Sequence, residues 1–172
     1  MQNVNSKHIV LIGLSGSGKS TVGCLLASKM GLPYIDTDRE IEKHTGMPIE
    51  EIFSKFGEGK FRQLESDQIN RALKGKRAVV SLGGGAVLLE ENRKLIWDLS
   101  TVIWLQASIE TIANRLKHTK EIRPLLAGDD LMRRLENMLQ NRERYYSQAH
   151  LCIVTDNKSP YTIVEEILSF VR

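Results

Sequence analysis

The sequence predicts an α/β domain whose parallel sheet is covered by helices on both faces. Three observations carry this. Short aliphatic runs recur along the chain, and helical periodicity fills the gaps between them. The first run leads straight into Gly13-Leu14-Ser15-Gly16-Ser17-Gly18-Lys19-Ser20, which reads GxxxxGKS, a phosphate-binding loop in its strand-loop-helix setting. Strands apolar on both faces and separated by helices belong in a parallel sheet with right-handed crossovers, and ligands bind at its carboxyl ends. At 172 residues there is enough chain for one buried core and too little for a second large domain.

The elements follow in order. Ile9 to Ile12 is the first strand, and behind the loop Val22, Leu25, Leu26 and Met30 recur at helical spacing. Tyr34-Ile35, Ala78 to Leu82, Thr101 to Leu105 and Leu151 to Val154 supply four more strands, making a five-stranded sheet in a three-layer α/β/α arrangement. Ile163, Val164, Ile167, Leu168 and Val171 share one face of a last helix, started by Pro160 at a first-turn position. Two segments resist this alternation. Met47 to Leu73 is too long for one crossover helix and is broken at Gly57 and Gly59, which predicts two helices in an inserted subdomain over about 38–73. Lys117 to Asp130 is polar and basic around Arg123-Pro124, which predicts a mobile lid over about 117–130.

Lys and Arg exceed Asp and Glu by 24 to 21, a mild excess that suits a binder of anionic nucleotides and falls far short of a protein that coats nucleic acid. Phe, Trp and Tyr make up 6% of the chain, too few to line a base-stacking groove, so no nucleic-acid partner is expected. Cys24 and Cys152 lack CxxC or metal-ligand spacing and are read as buried thiols in a reducing compartment. The first seven residues carry no apolar leader, and no apolar run approaches bilayer length. A cytoplasmic, soluble protein with no membrane partner is expected.

The loop has a direct chemical reading. Its glycines let successive N–H groups point into one concavity, and the following helix presents its positive dipole end to the same anion. Lys19 reaches the β- and γ-phosphate oxygens, while the Ser20 hydroxyl is a hard ligand for Mg²⁺. Asp36-Thr37-Asp38 ends the second strand, with two acids at i and i+2 on one side of an extended backbone. One acid can hold Mg²⁺ through water and one can take the proton of an acceptor hydroxyl; Asp38 also suits an N-cap of the helix beginning at Arg39. Gly83-Gly84-Gly85, at the end of the third strand, either forms a plain loop or brings backbone against a small ligand.

Arginines point to the acceptor. In the helix Leu131 to Tyr146, the apolar stripe of Leu131, Leu135, Met138 and Leu139 has Arg142 at its centre, so that charge must meet either a protein carboxylate or a ligand anion. Arg144 sits about 200° from the stripe centre. Arg62 shares a helical face with Ile69 and Leu73, and Glu65 stands three residues on, placed to hold its guanidinium. Arg123 in the lid is either a solvated charge or an arginine finger carried onto the transferring phosphoryl group.

Four motifs in order, GLSGSGKST at Gly13 to Thr21, IDTD at Ile35 to Asp38, FRQLE at Phe61 to Glu65 with SLGGGAV at Ser81 to Val87, and RPLL at Arg123 to Leu126, make the chain resemble the shikimate kinases over essentially its whole length. The resemblance implies a nucleoside-monophosphate-kinase-like fold and transfer of phosphate from ATP to the 3-hydroxyl of shikimate, on the route to aromatic amino acids. It implies that Gly16, Ser17, Gly18, Lys19, Ser20 and Thr21 surround the nucleotide phosphates, with Ser20 and Asp36 serving Mg²⁺. Asp38 is then the base, and Arg62, Gly83, Gly84, Gly85 and Arg142 join it in holding shikimate, the two guanidiniums clamping its carboxylate. Arg123 stabilises transferred charge, and Arg115 with Asn157 and Pro160 of the Asp156 to Pro160 turn contacts adenine. A monomer is implied as well. The stretch from Arg142 to Tyr146 departs from the family's RxPxY pattern in lacking the proline. Another small-metabolite kinase, such as a gluconate kinase, would share the phosphate loop but has no reason to carry all four motifs.

Overall fold

His8 to Ile12 is buried at every position, which a strand achieves only with neighbours on both edges and helices on both faces. This strand, β1 (His8–Ile12), lies at the centre of a computed structural model that describes residues 7–118 and 130–171. The others are β2 (Tyr34–Asp36), β3 (Val79–Ser81), β4 (Ser100–Gln106) and β5 (Leu151–Val154), all parallel, in the order β2-β3-β1-β4-β5. Leu11 of β1 sits opposite Ser81 on one side and Ile103 on the other. The chain therefore leaves β1 for one edge, returns through β3, and crosses to β4. A crevice opens at the carboxyl ends where the order reverses.

Alternation along β1 sorts the core into two layers. Ile9 and Leu11 face α1 (Lys19–Met30) and α7 (Pro160–Val171), through Val22, Leu26, Ile163, Val164 and Ile167. Val10 and Ile12 face the other layer, built from α3 (Ile49–Lys74), α4 (Glu90–Leu99), α5 (Ile109–Lys117) and α6 (Leu131–Tyr146) through Ile69, Leu73, Ile96, Ile112, Leu135 and Tyr146. The three-layer architecture read from the sequence is the one observed.

Between α2 (Thr37–Thr45) and α3 lies a separate small core of Ile41, Ile52 and Phe61, with Met47, Ile49, Phe53 and Leu64 packed around it. Each fully buried side chain of this size contributes about 2 kcal/mol. Helix α3 is two helices in practice: Gly57 has φ 80° and ψ 172°, the break expected there, whereas Gly59 continues the second helix. Among the described residues no helix is long and apolar enough to cross a membrane. Residues 119–129, most of the expected lid and Arg123 with it, lie outside the described residues.

Both cysteines depart from expectation, being exposed rather than buried. On α1 the i, i+4 pairs Val22 with Leu26 and Gly23 with Ala27 turn inward, which leaves Cys24 outside. Strand β5 is an edge strand in which Ile153 faces the core and Cys152 and Val154 alternate to the open side.

Candidate active site

At the end of β1 the backbone turns through Gly16 and Gly18, with φ of 83° and 98°, conformations that need glycine, and enters α1, whose first-turn N–H groups have no acceptor within the helix and no side-chain cap. The Lys19 ammonium arches back over this loop, donating to the carbonyls of Gly13 and Leu14 at 2.8 and 2.9 Å. Ser17 Oγ is buried beside the loop and has no hydrogen-bond partner among the described residues. Ser20 Oγ donates to Asp36 Oδ2 at 3.0 Å, which brings the hydroxyl and a carboxylate together beside the loop. Thr21, the next residue of α1, is exposed.

The acidic pair is arranged differently from the extended strand end that its spacing suggested. Helix α2 already begins at Thr37, so Asp38 lies in its first turn, and Asp36, not Asp38, is the N-cap. Asp36 Oδ1 accepts from the N–H groups of Asp38 and Arg39. A carboxylate one residue before the helix reaches the unpaired donors of its first turn; a residue inside the turn cannot.

The three glycines after β3 each lie under a charged side chain. A methyl group added to Gly83 would come within 2.8 Å of both Asp38 Oδ1 and Glu65 Oε1, and one added to Gly84 within 3.0 Å of Arg142 Nη1 and 3.3 Å of the Gly13 carbonyl. One added to Gly85 would collide with the Arg62 guanidinium. Helix α2, the second half of α3 and α6 thus bring Asp38, Arg62, Glu65 and Arg142 to one small area next to the phosphate loop.

Arg142 is buried, as its stripe position predicted, whereas Arg144 is exposed and lies against the Tyr145 ring. Arg62 donates to Glu65 Oε2 at 2.6 Å and to Glu58 Oε1 at 3.2 Å. Burial works against the Arg62 charge, but Glu65 and Glu58 outweigh it and hold the guanidinium pKa above its ordinary value. Burial also drives the Glu65 carboxyl up to about 7; Arg62 pulls it down, and neighbouring Asp38 pushes it further up. Its Oε1 has no hydrogen-bond partner among the described residues.

Tyr146 escaped the sequence reading. Fully buried, with its pKa pushed up to about 12 by burial, it donates its hydroxyl to the Gly84 carbonyl at 2.5 Å. The signal was present: Tyr146 stands four residues after Arg142, one helical turn along the same stripe.

On the other side of the loop Arg115 of α5 donates to the Gly16 carbonyl at 3.2 Å. The turn after β5 carries Asn157 at φ 58°, and Pro160 opens α7. By strand order, Arg115 and this turn follow β4 and β5, on the opposite side of β1 from β2 and β3, which lead to Asp38 and the three glycines, so two wings flank the loop.

A phosphate loop at the central strand of a parallel sheet, with a helical insert over one wing, defines a P-loop kinase of the small-molecule type. The family model described as shikimate kinase matches residues 15–172. A shikimate kinase of Persephonella marina is 45% identical over 166 residues, covering 96% of this chain and 99% of that one, and one of Thermodesulfovibrio yellowstonii is 44% identical over 162 residues, covering 94% of this chain and 93% of that one. Among solved structures, shikimate kinase from Acinetobacter baumannii in complex with shikimate matches with a TM-score of 0.92 and 34% identity, covering 96% of this chain and 92% of that one. The chain belongs to the shikimate kinase family. A gluconokinase from Sinorhizobium meliloti, at 21% identity and a TM-score of 0.65, shares the fold alone.

Proposed function

We propose that this enzyme transfers the γ-phosphoryl group of ATP to the 3-hydroxyl of shikimate, giving shikimate 3-phosphate and ADP. The observation that carries the reading is the meeting at Gly84, where Arg142 of the acceptor wing and Gly13 of the phosphate loop both lie in contact distance. An acid held by Arg142 and Arg62 then has its alcohol beside the terminal phosphate. The two guanidiniums grip the carboxylate, the Gly83 to Gly85 backbone lies against the ring, and Asp38 accepts a hydrogen bond from the ring hydroxyl that attacks.

Lys19 leaves the loop carbonyls for the β- and γ-phosphates, whose charge is the stronger acceptor, and Gly16, Ser17, Gly18 and Thr21 surround them. The pairing of Ser20 Oγ with Asp36 Oδ2 fits Mg²⁺, a cation that takes hard oxygen ligands: Ser20 would hold it directly and Asp36 through water. Bound there, the ion would supply charge neutralisation during transfer. Phosphoryl transfer asks mainly for in-line placement and electrostatic compensation, so the chain's own contribution is to align the alcohol and to surround the transferring group with cations. Arg123, from the RPLL motif, is assigned the role of stabilising that charge. Arg115, Asn157 and Pro160 hold the adenosine end. The reading includes a cytoplasmic monomer with no nucleic-acid or membrane partner.

ATP consumption with shikimate, quinate and gluconate as acceptors tests both reaction class and substrate. Turnover with shikimate alone is expected; equal turnover with gluconate, or none with any of the three, overturns the reading.

A further inference from the structure

The carboxylate of Asp156, at the start of the turn after β5, collects donors from a segment 48 residues away. Its Oδ1 accepts from Ser108 Oγ at 2.7 Å and Thr111 Oγ1 at 2.5 Å, and its Oδ2 from the Ser108 N–H at 3.0 Å. Ser108 is the N-cap of α5 and already satisfies the Thr111 N–H with its own hydroxyl at 3.2 Å. The helix is therefore capped without Asp156, and what the aspartate adds is a tie between two strand-end loops. These hydrogen bonds from Ser108 and Thr111 hold the Asp156 carboxyl below its ordinary pKa, as expected for a carboxylate that stays charged.

The tie has a direction. Thr111 and Arg115 stand four residues apart on α5, so they share one face, and Arg115 reaches the Gly16 carbonyl of the phosphate loop from that face. Asn157, next to Asp156, is held at φ 58°, a conformation that costs a non-glycine residue energy and needs a fixed surrounding. Phosphates in the loop with the acceptor wing on one side leave the opposite side, between Arg115 and this turn, for the nucleoside.

We infer that Asp156 is a positioning residue for the nucleoside half of the phosphoryl donor, fixing the turn at Asn157 to the helix that carries Arg115. The inference rests on the reading above that these residues hold adenosine. It predicts a selective defect. Asp156→Ala is expected to raise the KM for ATP about tenfold, the size of a lost charge-assisted hydrogen bond, with kcat and the KM for shikimate changed less than about twofold. Calorimetric titration should show ADP bound about tenfold more weakly while inorganic tripolyphosphate, which needs only the loop, binds as in the wild type. Thr111→Val, which removes one donor, is the milder variant if Asp156→Ala fails to fold, and should give a smaller loss of the same kind.

Unchanged ADP affinity in Asp156→Ala, or equal loss of ADP and tripolyphosphate, overturns the inference. Arg115→Ala separates the two readings. If it weakens ADP binding and Asp156→Ala does not, the role of Asp156 fails alone; if neither variant weakens it, the adenosine assignment fails too.

Discussion

Arg62 Nη1 lies 2.6 Å from Glu65 Oε2, and the Glu65 side chain is 1% exposed. Held by Glu65 through Nη1 and by Glu58 through Nε and Nη2, the guanidinium is fixed over Gly85 in the acceptor wing. Arg62→Ala should raise the KM for shikimate roughly 30-fold, the equivalent of about 2 kcal/mol for a hydrogen bond to a charged group, and leave the KM for ATP unchanged. Coupled-assay kinetics with each substrate varied in turn decide this. A change confined to ATP would contradict it.

The same pair gives a pH signature. Glu65 holds its proton up to about pH 7 when folded, against 4.5 for an ordinary side chain. A raised carboxyl favours the folded state fully below pH 4.5, and that contribution is lost as pH rises through 7. Glu65→Gln carries no titrating group there, so thermal melts should show the variant gaining on the wild type between pH 4.5 and 7. Its shikimate KM should also lose the fall that ionised Glu65, by holding Arg62, gives the wild type as pH rises through 7. Parallel profiles for the two proteins would refute this.

Removing the Tyr146 hydroxyl leaves the partly buried Gly84 carbonyl without its 2.5 Å donor. Tyr146→Phe should cost about 1–3 kcal/mol of stability and raise the shikimate KM several-fold, because Gly84 sets the backbone beneath Arg142. Denaturant unfolding and acceptor kinetics measure the two effects separately.

Arg123→Ala is expected to lower kcat by about 10³-fold or more, with the melting temperature within a few degrees of the wild type, since an arginine finger acts on transition-state charge rather than on packing. An unchanged rate in a coupled ATP assay would remove Arg123 from the reaction.

Two histidines far from the site set an acid limit. His8 Nδ1 accepts from the Ala78 N–H at 3.2 Å and His150 Nδ1 from the Val102 N–H at 2.9 Å, and burial, helped by Arg77 beside His8 and Lys7 beside His150, lowers both pKa values below 6.5. A lowered histidine favours folding above its unfolded pKa and loses that contribution as pH falls through the folded one. The wild type should therefore lose stability below about pH 6.5 relative to a His8→Asn, His150→Asn double variant, whose amide oxygens replace the accepting nitrogens without titrating. Melting temperatures from pH 7.5 to 5 test it.

Periodicity and loop chemistry settled most of this molecule in advance. Short aliphatic runs, the GxxxxGKS loop and the Gly57 break are local signals, and the elements they predict are those observed. Arg142 was legible because a charge in the middle of an apolar stripe must find a partner. What one dimension could not carry were relations fixed by packing between distant segments. Which acid caps α2 depended on where the backbone leaves β2, and the exposure of Cys152 depended on β5 lying at the edge of the sheet. The contact of Tyr146 with Gly84, and of Asp156 with Ser108 and Thr111, joins residues 62 and 45 to 48 positions apart. The sequence alone determined the layers and the chemistry of the loop, because local turns and alternation follow from each residue's own conformational preferences. The tertiary structure decided how three glycines come to lie under four charged side chains, because only the packing of α2, α3 and α6 over one strand end sets those distances.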